Sequence, residues 1–477
     1  MSTAKHRPFR LTIVHPCVGR HTGMKGYIRN WTMVPLPAAI IAALTPPEVD
    51  RRFHDDRLEP IPYDEPTDLV AMSVETYTAR RAYQIASEYR KRGVPVVMGG
   101  FHATLCSDEV KRYCESIVIG EAEQLFPRVI DDYRHGRPEA VYRMEQRPAL
   151  GCVLPDRSIF RGKRYLPIGL IETARGCRFR CDFCAVQSFF DATQTHHPPD
   201  RVVDEIRRVR KPGQMIFFID DNITSDIAAA KELMRAIIDL KIRWVSQSSI
   251  NVAHDEEALD LMRRSGCQGL LVGFESLNPD SLSKMNKTFN LMKGGPQEAL
   301  ANFRRHGLRI YGTFIFGYDE DTPEVFDSSV GFAEEQGLFI AAFNHVTPFP
   351  GTPLYDRMQS EQRLLYDAWW LDSRYRYNMI PFRPMKMSPE ELARRCVDAR
   401  RRFYSWRSIL QRGTHRVNRN SAFMLANYLA INAMHRWDID GRNGLPLGDE
   451  AWRGSLVEAD RVTHEPWKPA RVGLVAP

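Results

Sequence analysis

Residues 166–187, LPIGLIETARGCRFRCDFCAVQ, hold the two features that decide the fold of the larger part of this chain. The stretch LPIGLIET is short and mostly apolar, which is typical of a buried β-strand. Cys177, Cys181 and Cys184 follow it within a single loop. In folds built on parallel strands, ligands and catalytic groups lie beyond the carboxyl ends of those strands. The position of the cysteines therefore predicts a functional site and not a scaffold.

The alternation of apolar strand and amphipathic helix continues beyond this loop. Five more strand-like stretches follow it, namely QMIFFIDD, RWVSQSS, GLLVGFES, RIYGTFIFG and LFIAAFNHV. Helical patterns such as SDIAAAKELMRAIIDL and EVFDSSVGFAEEQG separate them. Six consecutive βα units predict a partial (βα)6 TIM-type barrel over residues 166–355, with function on the loops that follow the strands.

A second α/β pattern precedes the barrel. RLTIVHP, DLVAMSV, VPVVMGG and SIVIG read as strands with helices between them, which predicts an N-terminal Rossmann-like parallel sheet in residues 1–140. Residues 141–165 show no periodicity and are predicted to be a linker. Residues 356–477 are predicted to form a helical C-terminal domain, in which Ser388-Pro-Glu-Glu391 opens a helix as a capping box.

Composition sets the outer limits of the interpretation. A chain of 477 residues is too long for one compact core, and a formal charge of +7 is too mild to call for nucleic acid. No apolar run approaches the ~20 residues that span a bilayer, and the start lacks a signal-peptide core, so we expect a cytoplasmic protein without a membrane span. The six cysteines outside the loop are expected to be buried thiols. They are Cys17, Cys106, Cys114, Cys152, Cys267 and Cys396.

Three cysteines in eight residues leave several kinds of site open. A structural zinc needs four ligands, and His196 or His197 could supply the fourth. A disulfide would leave one thiol over, and haem attachment needs histidine where Ala185 stands. A 4Fe–4S cluster explains the count best, because three thiolates hold three irons and leave the fourth open to a ligand.

At these residues the chain resembles the radical S-adenosylmethionine (SAM) superfamily, whose signature is CxxxCxΦC after the first strand of a six-unit barrel. The resemblance implies that Cys177, Cys181 and Cys184 hold a 4Fe–4S cluster and that SAM chelates its open iron. An electron from the reduced cluster then cleaves a carbon–sulfur bond of SAM. It further implies an electron donor such as flavodoxin or ferredoxin and a small-molecule substrate.

The resemblance extends to the subgroup with an N-terminal cobalamin-binding-type domain. The matching stretches are residues 99–104, 119–123, 219–224, 272–276, 312–317 and 347–353. It implies that Phe183 lies near the adenine and that the stretch around Thr347 closes over the adenosine or the substrate. It also implies that polar groups at strand ends face the amino acid or ribose of SAM, where the alternative is a helix cap or a core hydrogen bond. These groups are Asp220, Asp221, Gln247 and Glu275.

The reaction depends on whether cobalamin binds, which the residues leave open. A cobalamin-binding sheet of the base-off type uses a DxHxxG loop, and none of the fourteen histidines has aspartate two residues before it. Cobalamin could still bind without a protein ligand to cobalt, but the strand ends of the first domain offer a corrin little beyond Gly99 and Gly100. The main expectation is therefore transfer of the 3-amino-3-carboxypropyl group of SAM in natural-product biosynthesis, for example to trivalent arsenic, as in the arsinothricin-type member. The alternative is a cobalamin-dependent C- or P-methyltransferase or a tetrapyrrole-cyclase-like enzyme. A corrin-based sensor and a tRNA-modifying enzyme are competing classes.

Overall fold

The computed structural model describes residues 8–23, 32–151, 153–441 and 443–458. By their contacts the residues form two compact units. Unit 1 comprises residues 1–166, 368–376 and 445–477, and unit 2 comprises residues 167–367 and 377–444. This is a division by contact, and the four-part division expected from the sequence stays a prediction. Cys152 lies outside the described residues.

Sixteen strands occur within the described ranges. They are β1 Arg10–His15, β2 Gly19–Arg20, β3 Asp50–Asp55, β4 Leu69–Ser73, β5 Val96–Gly99, β6 Ser116–Ile119, β7 Val141–Arg143, β8 Ile168–Ile171, β9 Ala174–Gly176, β10 Gln194–His196, β11 Met215–Phe218, β12 Arg243–Ser248, β13 Cys267–Glu275, β14 Arg309–Phe316, β15 Ile340–His345 and β16 Gly448–Asp449.

Sixteen α-helices occur in the same part of the chain. They are α1 Leu36–Leu44, α2 Ala79–Arg90, α3 Phe101–Leu105, α4 Ser107–Val110, α5 Phe126–Arg134, α6 Ala185–Phe190, α7 Pro199–Val209, α8 Ile227–Ile237, α9 Glu256–Ser265, α10 Pro279–Lys284, α11 Gly295–Arg305, α12 Glu324–Glu335, α13 Pro353–Ser360, α14 Pro389–Phe403, α15 Trp406–Gly413 and α16 Ala422–Asp438. None of them is both long and apolar enough to cross a bilayer.

Unit 1 is built on a six-stranded parallel sheet in the order β3-β1-β4-β5-β6-β7. Strand β4 is buried from Leu69 to Met72, as expected of a parallel strand covered on both faces. This confirms the predicted Rossmann-like sheet. Two strands of this six-stranded sheet were not expected from the sequence. They are β3, whose residues are mostly charged, and β7, which lies in the segment predicted to be a linker.

Unit 2 is built on a second parallel sheet, in which β8, β11, β12, β13, β14 and β15 are neighbours in chain order. Sequential parallel strands with helical connections are the winding of a TIM-type barrel, so the predicted partial barrel is confirmed. Aromatic side chains such as Trp244, Phe274 and Phe343 fill its core and are fully buried. The capping serine at the start of α14 is also confirmed, because Ser388 Oγ accepts a hydrogen bond from the Glu391 N–H at 3.1 Å.

Candidate active site

The three cysteines lie in a loop that projects from the carboxyl end of β8. Strands β9 and β10 pair antiparallel at the base of this loop, and α6 begins directly after Cys184. Gly176 precedes Cys177 with a left-handed φ of 85°. A Cβ at this position would lie 2.2 Å from the Thr193 carbonyl oxygen, so only glycine permits the close approach of the two short strands.

All three thiols line one cavity of about 330 Å³ in unit 2. Burial raises the pKa of Cys181 to about 12 and also raises that of Cys184. A metal that binds such thiols displaces their protons, because the thiolate is the ligand. Cys177 Sγ already accepts a hydrogen bond from Asn222 Nδ2 at 3.6 Å.

The geometry favours a cluster over a single metal ion. No three His, Cys, Asp or Glu side chains of the described residues converge as ligands of one ion. A single zinc needs all its ligand atoms within about 2.3 Å of one point, whereas a cube carries each thiolate on a different iron. His197, a possible fourth zinc ligand, instead places Nε2 3.3 Å from the Glu172 carboxylate.

Two adjacent aspartates after β11 have different surroundings. Asp220 is buried and accepts hydrogen bonds from the Thr173 and Ala174 N–H groups at 2.7 and 3.1 Å and from the Thr173 hydroxyl. Asp220 is not among the residues that line the cavity. Asp221 does line the cavity and accepts a hydrogen bond from the Gly176 N–H at 2.9 Å. Burial raises the pKa of Asp220 to about 7 and that of Asp221 to about 6.

The carboxyl end of β12 supplies amide and hydroxyl groups to the same cavity. Gln247 lines it and donates a hydrogen bond from Nε2 to the Asp220 carbonyl at 3.2 Å. Asn222 accepts through Oδ1 from the Ser249 N–H at 3.2 Å and donates through Nδ2 to Ser249 Oγ at 3.1 Å. These bonds orient the Asn222 amide toward Cys177 and join two strand ends.

An ion pair lies in the wall of the cavity. Glu275 ends β13, and its Oε1 accepts a hydrogen bond from Lys287 Nζ at 2.7 Å. Both side chains are about nine-tenths buried. Lys287 also donates to the Gly273 carbonyl at 3.3 Å and is close enough to Cys181 for their charges to interact. Burial lowers the pKa of Lys287, but the Glu275 carboxylate and the nearby Cys181 and Cys184 together raise it by more than that. The net result is a pKa above the usual value, so the ammonium stays charged.

Known proteins are similar to this chain in sequence and in fold. Bacteriochlorophyllide d C-12(1)-methyltransferase of Chlorobaculum tepidum is 31% identical over 390 residues, which are 80% of this chain and 84% of that protein. The C-8(2)-methyltransferase of the same organism is 26% identical over 78% of this chain and 86% of that protein. The profile of the radical SAM superfamily matches residues 171–333.

The chain belongs to the radical SAM superfamily.

Solved structures of radical SAM enzymes support the same fold. The methyltransferase TsrM of Kitasatospora setae, with cobalamin and a 4Fe–4S cluster bound, has a TM-score of 0.58 at 20% identity and covers 81% of this chain and 85% of its own. The cobalamin-dependent enzyme OxsB has a TM-score of 0.58 at 12% identity over 91% of this chain and 72% of its own. Membership in the superfamily implies a 4Fe–4S cluster and SAM as cofactors, and the three thiols on one cavity fit the cluster.

The cavity of this radical SAM enzyme brings together most of the residues singled out in the sequence. Phe183, Asp221, Gln247 and Glu275 line it with the three cysteines, whereas Thr347 does not. The Thr347 hydroxyl lies 3.5 Å from His345 Nδ1, beyond the end of β15. The remaining lining residues are Phe179, Val186, Asn222, Ser248, Ser249, Leu271, Gly273, Lys287, Phe289, Thr313 and Ile315.

Sequence reasoning missed Lys287 and Asn222. In SKMNKTF, Lys287 has no local feature that separates it from Lys284, which is exposed. Its role depends on Glu275, twelve residues away on another element, and that contact is visible only in three dimensions. Asn222 could have been found, because it follows two aspartates directly after an apolar strand, where site residues are expected.

Proposed function

We propose that the protein is a radical SAM methyltransferase that uses cobalamin and methylates a carbon atom of a tetrapyrrole-like small molecule. The observation that carries this proposal is the 31% identity to a bacteriochlorophyllide d methyltransferase, which extends across 80% of the chain. The alignment of 390 residues is longer than unit 2, so it also includes residues of unit 1. It favours methyl transfer over transfer of the 3-amino-3-carboxypropyl group.

The cluster and SAM fit the residues of unit 2. Cys177, Cys181 and Cys184 would hold the cluster, which supplies the electron and the open iron that SAM chemistry needs. The pair Lys287 and Glu275 offers one positive and one negative charge to a cavity whose lining also includes the Asp221 carboxylate. The amino-acid end of SAM is a zwitterion, and charge-assisted hydrogen bonds to such a pair are about twice as strong as neutral ones.

Aromatic groups supply the apolar part of the cavity. The rings of Phe179 and Phe289 lie 4.4 Å apart between centroids, and Phe183 packs edge-on against Tyr318 at 6.5 Å. Flat apolar faces bind planar ring systems through dispersion and burial of apolar area. We assign the adenine of SAM to this wall, in agreement with the role expected for Phe183.

Cobalamin fits unit 1 only when cobalt takes no imidazole from His102. That side chain is fully buried, with Nδ1 3.3 Å from the Thr76 hydroxyl and Nε2 3.1 Å from the Glu109 carboxylate. Gly100, with φ of 96°, permits the close packing of this loop on the end of β4, because a Cβ there would lie 2.7 Å from Ser73 Oγ. A corrin would lie beyond these strand ends, where ligands of such sheets bind.

The test supplies bacteriochlorophyllide d to the anaerobically reconstituted full chain, together with cobalamin, a reductant and SAM carrying a deuterated methyl group. We expect a product heavier by one labelled methyl group, with S-adenosylhomocysteine as the coproduct of transfer. Serine at Cys177 should abolish both the cluster and the product. Release of 5′-methylthioadenosine that retains the deuterated methyl group, with an unlabelled aminocarboxypropyl product, would contradict the proposal and restore the other reaction. If the labelled methyl group were transferred equally well without cobalamin, cobalamin would be no part of the proposed reaction.

A further inference from the structure

The last two helices of unit 2 carry large apolar side chains that are exposed to solvent, and one of them, Phe423, has the Arg243 guanidinium 5.5 Å from the centre of its ring. Helices α15 and α16 pack against each other through the Tyr428 hydroxyl, which donates to the Ile409 carbonyl at 2.7 Å. Of the 17 residues of α16, only Tyr428 and Asn432 are fully buried. Residues 422–434, AFMLANYLAINAM, contain no charged side chain. A helix that is apolar on all sides normally packs into a core or against another apolar phase.

Both helices expose apolar side chains. On α16, Phe423, Ala426, Ala430 and Trp437 are exposed and recur at helical spacing, which places them on one face. Trp437 is 75% exposed and Phe423 is 60% exposed. On α15, Trp406 and Leu410 are exposed one turn apart. The guanidinium of Arg436 lies 5.9 Å from the Trp406 ring, which brings the start of α15 close to the end of α16.

Exposed arginines lie close in sequence to these apolar side chains. Residues 389–438 contain ten arginines and four acidic residues, of which Arg412 is buried and Arg402 pairs with Asp327 and Glu334. Arg407 lies beside Trp406, and Arg416 and Arg419 lie in the connection that leads to Phe423; all three are exposed. Apolar anchors flanked by arginine are the pattern of helices that lie in the headgroup region of anionic membranes.

We propose that α15 and α16 dock this enzyme on an anionic lipid surface, with Phe423, Trp437, Trp406 and Leu410 inserted among the headgroups. Charge decides between this occupant and a second copy of the chain. A symmetric contact between two copies would bring two arginine-rich surfaces together, and like charges repel. An anionic membrane instead attracts each arginine near its surface. The proposal does not depend on which reaction the enzyme performs.

The experiment uses the reconstituted full chain and sedimentation with lipid vesicles. We expect the wild type to sediment with vesicles of mixed phosphatidylcholine and phosphatidylglycerol and to stay in solution with phosphatidylcholine alone. Binding should weaken as salt screens the charges. Replacing Phe423 and Trp437 together by alanine should weaken binding about tenfold or more, and so should replacing Arg407 and Arg416 by alanine.

Met385 provides the matched control, because it is 63% exposed in the same unit but lies outside these helices. Met385→Ala should bind vesicles like the wild type. Iron content and SAM affinity, measured on every variant, should also equal those of the wild type, which shows that the variants fold. Equal binding to both kinds of vesicle, or none to either, would overturn the proposal. A wild-type dimer in solution that F423A/W437A converts to a monomer, without vesicle binding, would assign the surface to a second copy.

Discussion

Glu275 has a left-handed backbone conformation, with φ of 59°, at the last residue of β13. Such a conformation costs a residue other than glycine about 1–3 kcal/mol, and it persists where the surroundings hold it. The pairing of β13 with β14 shifts register between Gly273 and Glu275, as at a β-bulge. A Cβ at position 273 would lie 2.1 Å from the Glu275 carboxylate. The bulge and the glycine together bring this carboxylate to Lys287 in the cavity wall.

Lys287→Met should weaken SAM binding by about tenfold or more, because the cavity loses the cation that we assign to the SAM carboxylate. It should also lower the free energy of unfolding by about 3–5 kcal/mol, since it leaves the buried Glu275 charge unpaired. SAM affinity is measured by equilibrium binding to reconstituted protein with an unchanged iron content. Lys284→Met, which changes an exposed lysine three residues earlier, should affect neither quantity.

The double variant Lys287→Met/Glu275→Gln separates the two effects of this change. Removing both charges should restore most of the stability, because no buried charge is then left without a partner. SAM binding should stay weak. If the double variant, or Lys287→Met itself, bound SAM like the wild type, the pair would be a structural element of the wall and no part of the SAM site.

At the scale of elements, Asp220 connects two strands of the barrel. It follows β11, and its carboxylate accepts three hydrogen bonds from Thr173 and Ala174, which follow β8. Burial nevertheless raises its pKa to about 7, whereas an aspartate of the unfolded chain titrates near ~3.9. The folded chain thus keeps this proton to higher pH than the unfolded chain does. The stability that results is complete below pH ~4 and is lost as the pH rises to about 7.

We therefore expect the urea midpoint of the reconstituted chain to fall between pH 5 and pH 8, and Asp220→Asn to remove much of that fall. The amide can accept from both N–H groups and donate to the Thr173 hydroxyl, so it imitates the protonated carboxyl.

Asp220→Ala should destabilise the chain at every pH, because two buried N–H groups lose their acceptor. Asp221→Asn, whose carboxyl also has a raised pKa, should remove a smaller part of the fall. An unchanged pH slope in Asp220→Asn would contradict this account.

Strands were predictable from the sequence where burial alone defines them. All six barrel strands and β1, β4, β5 and β6 are short apolar runs between turn residues, and each was recognised from that pattern. Strand β3, with the sequence DRRFHD, was not, because it lies at the edge of the sheet and only Phe53 and Asp55 are buried. Edge strands commonly carry charged residues, which hide the apolar signal.

Site residues were predictable where they directly follow a strand that could be recognised in the sequence. Parallel strands end at one edge of a sheet, so Asp221, Gln247 and Glu275 were expected near the cysteines, and they line the same cavity. Asp220 is a neighbour of Asp221 in sequence, but its side chain bonds to the β8 end and does not line the cavity. Which of two adjacent carboxylates faces a cavity depends on backbone direction, which residue types do not encode.

At the scale of the whole molecule, the described cavity lies in one unit and a second parallel sheet lies in the other. Every residue that lines the described cavity belongs to unit 2. Unit 1 contributes a complete parallel sheet whose strand ends carry His15, Gly99 and Gly100. This second sheet contains none of the three cysteines of the cavity. A second cofactor at its strand ends is the simplest reason for such a sheet in an enzyme of this fold.

The last prediction concerns that cofactor. The full chain should take up cobalamin stoichiometrically, and the visible spectrum of the complex should lack the signature of imidazole bound to cobalt, because both ring nitrogens of His102 are engaged. His15 is the control, because burial lowers its pKa to about 4 and its neutral ring lies at the end of β1. His15→Ala should leave the spectrum unchanged. An imidazole signature that this variant abolishes would make His15 the cobalt ligand, and failure to take up cobalamin would remove the cofactor from unit 1 altogether.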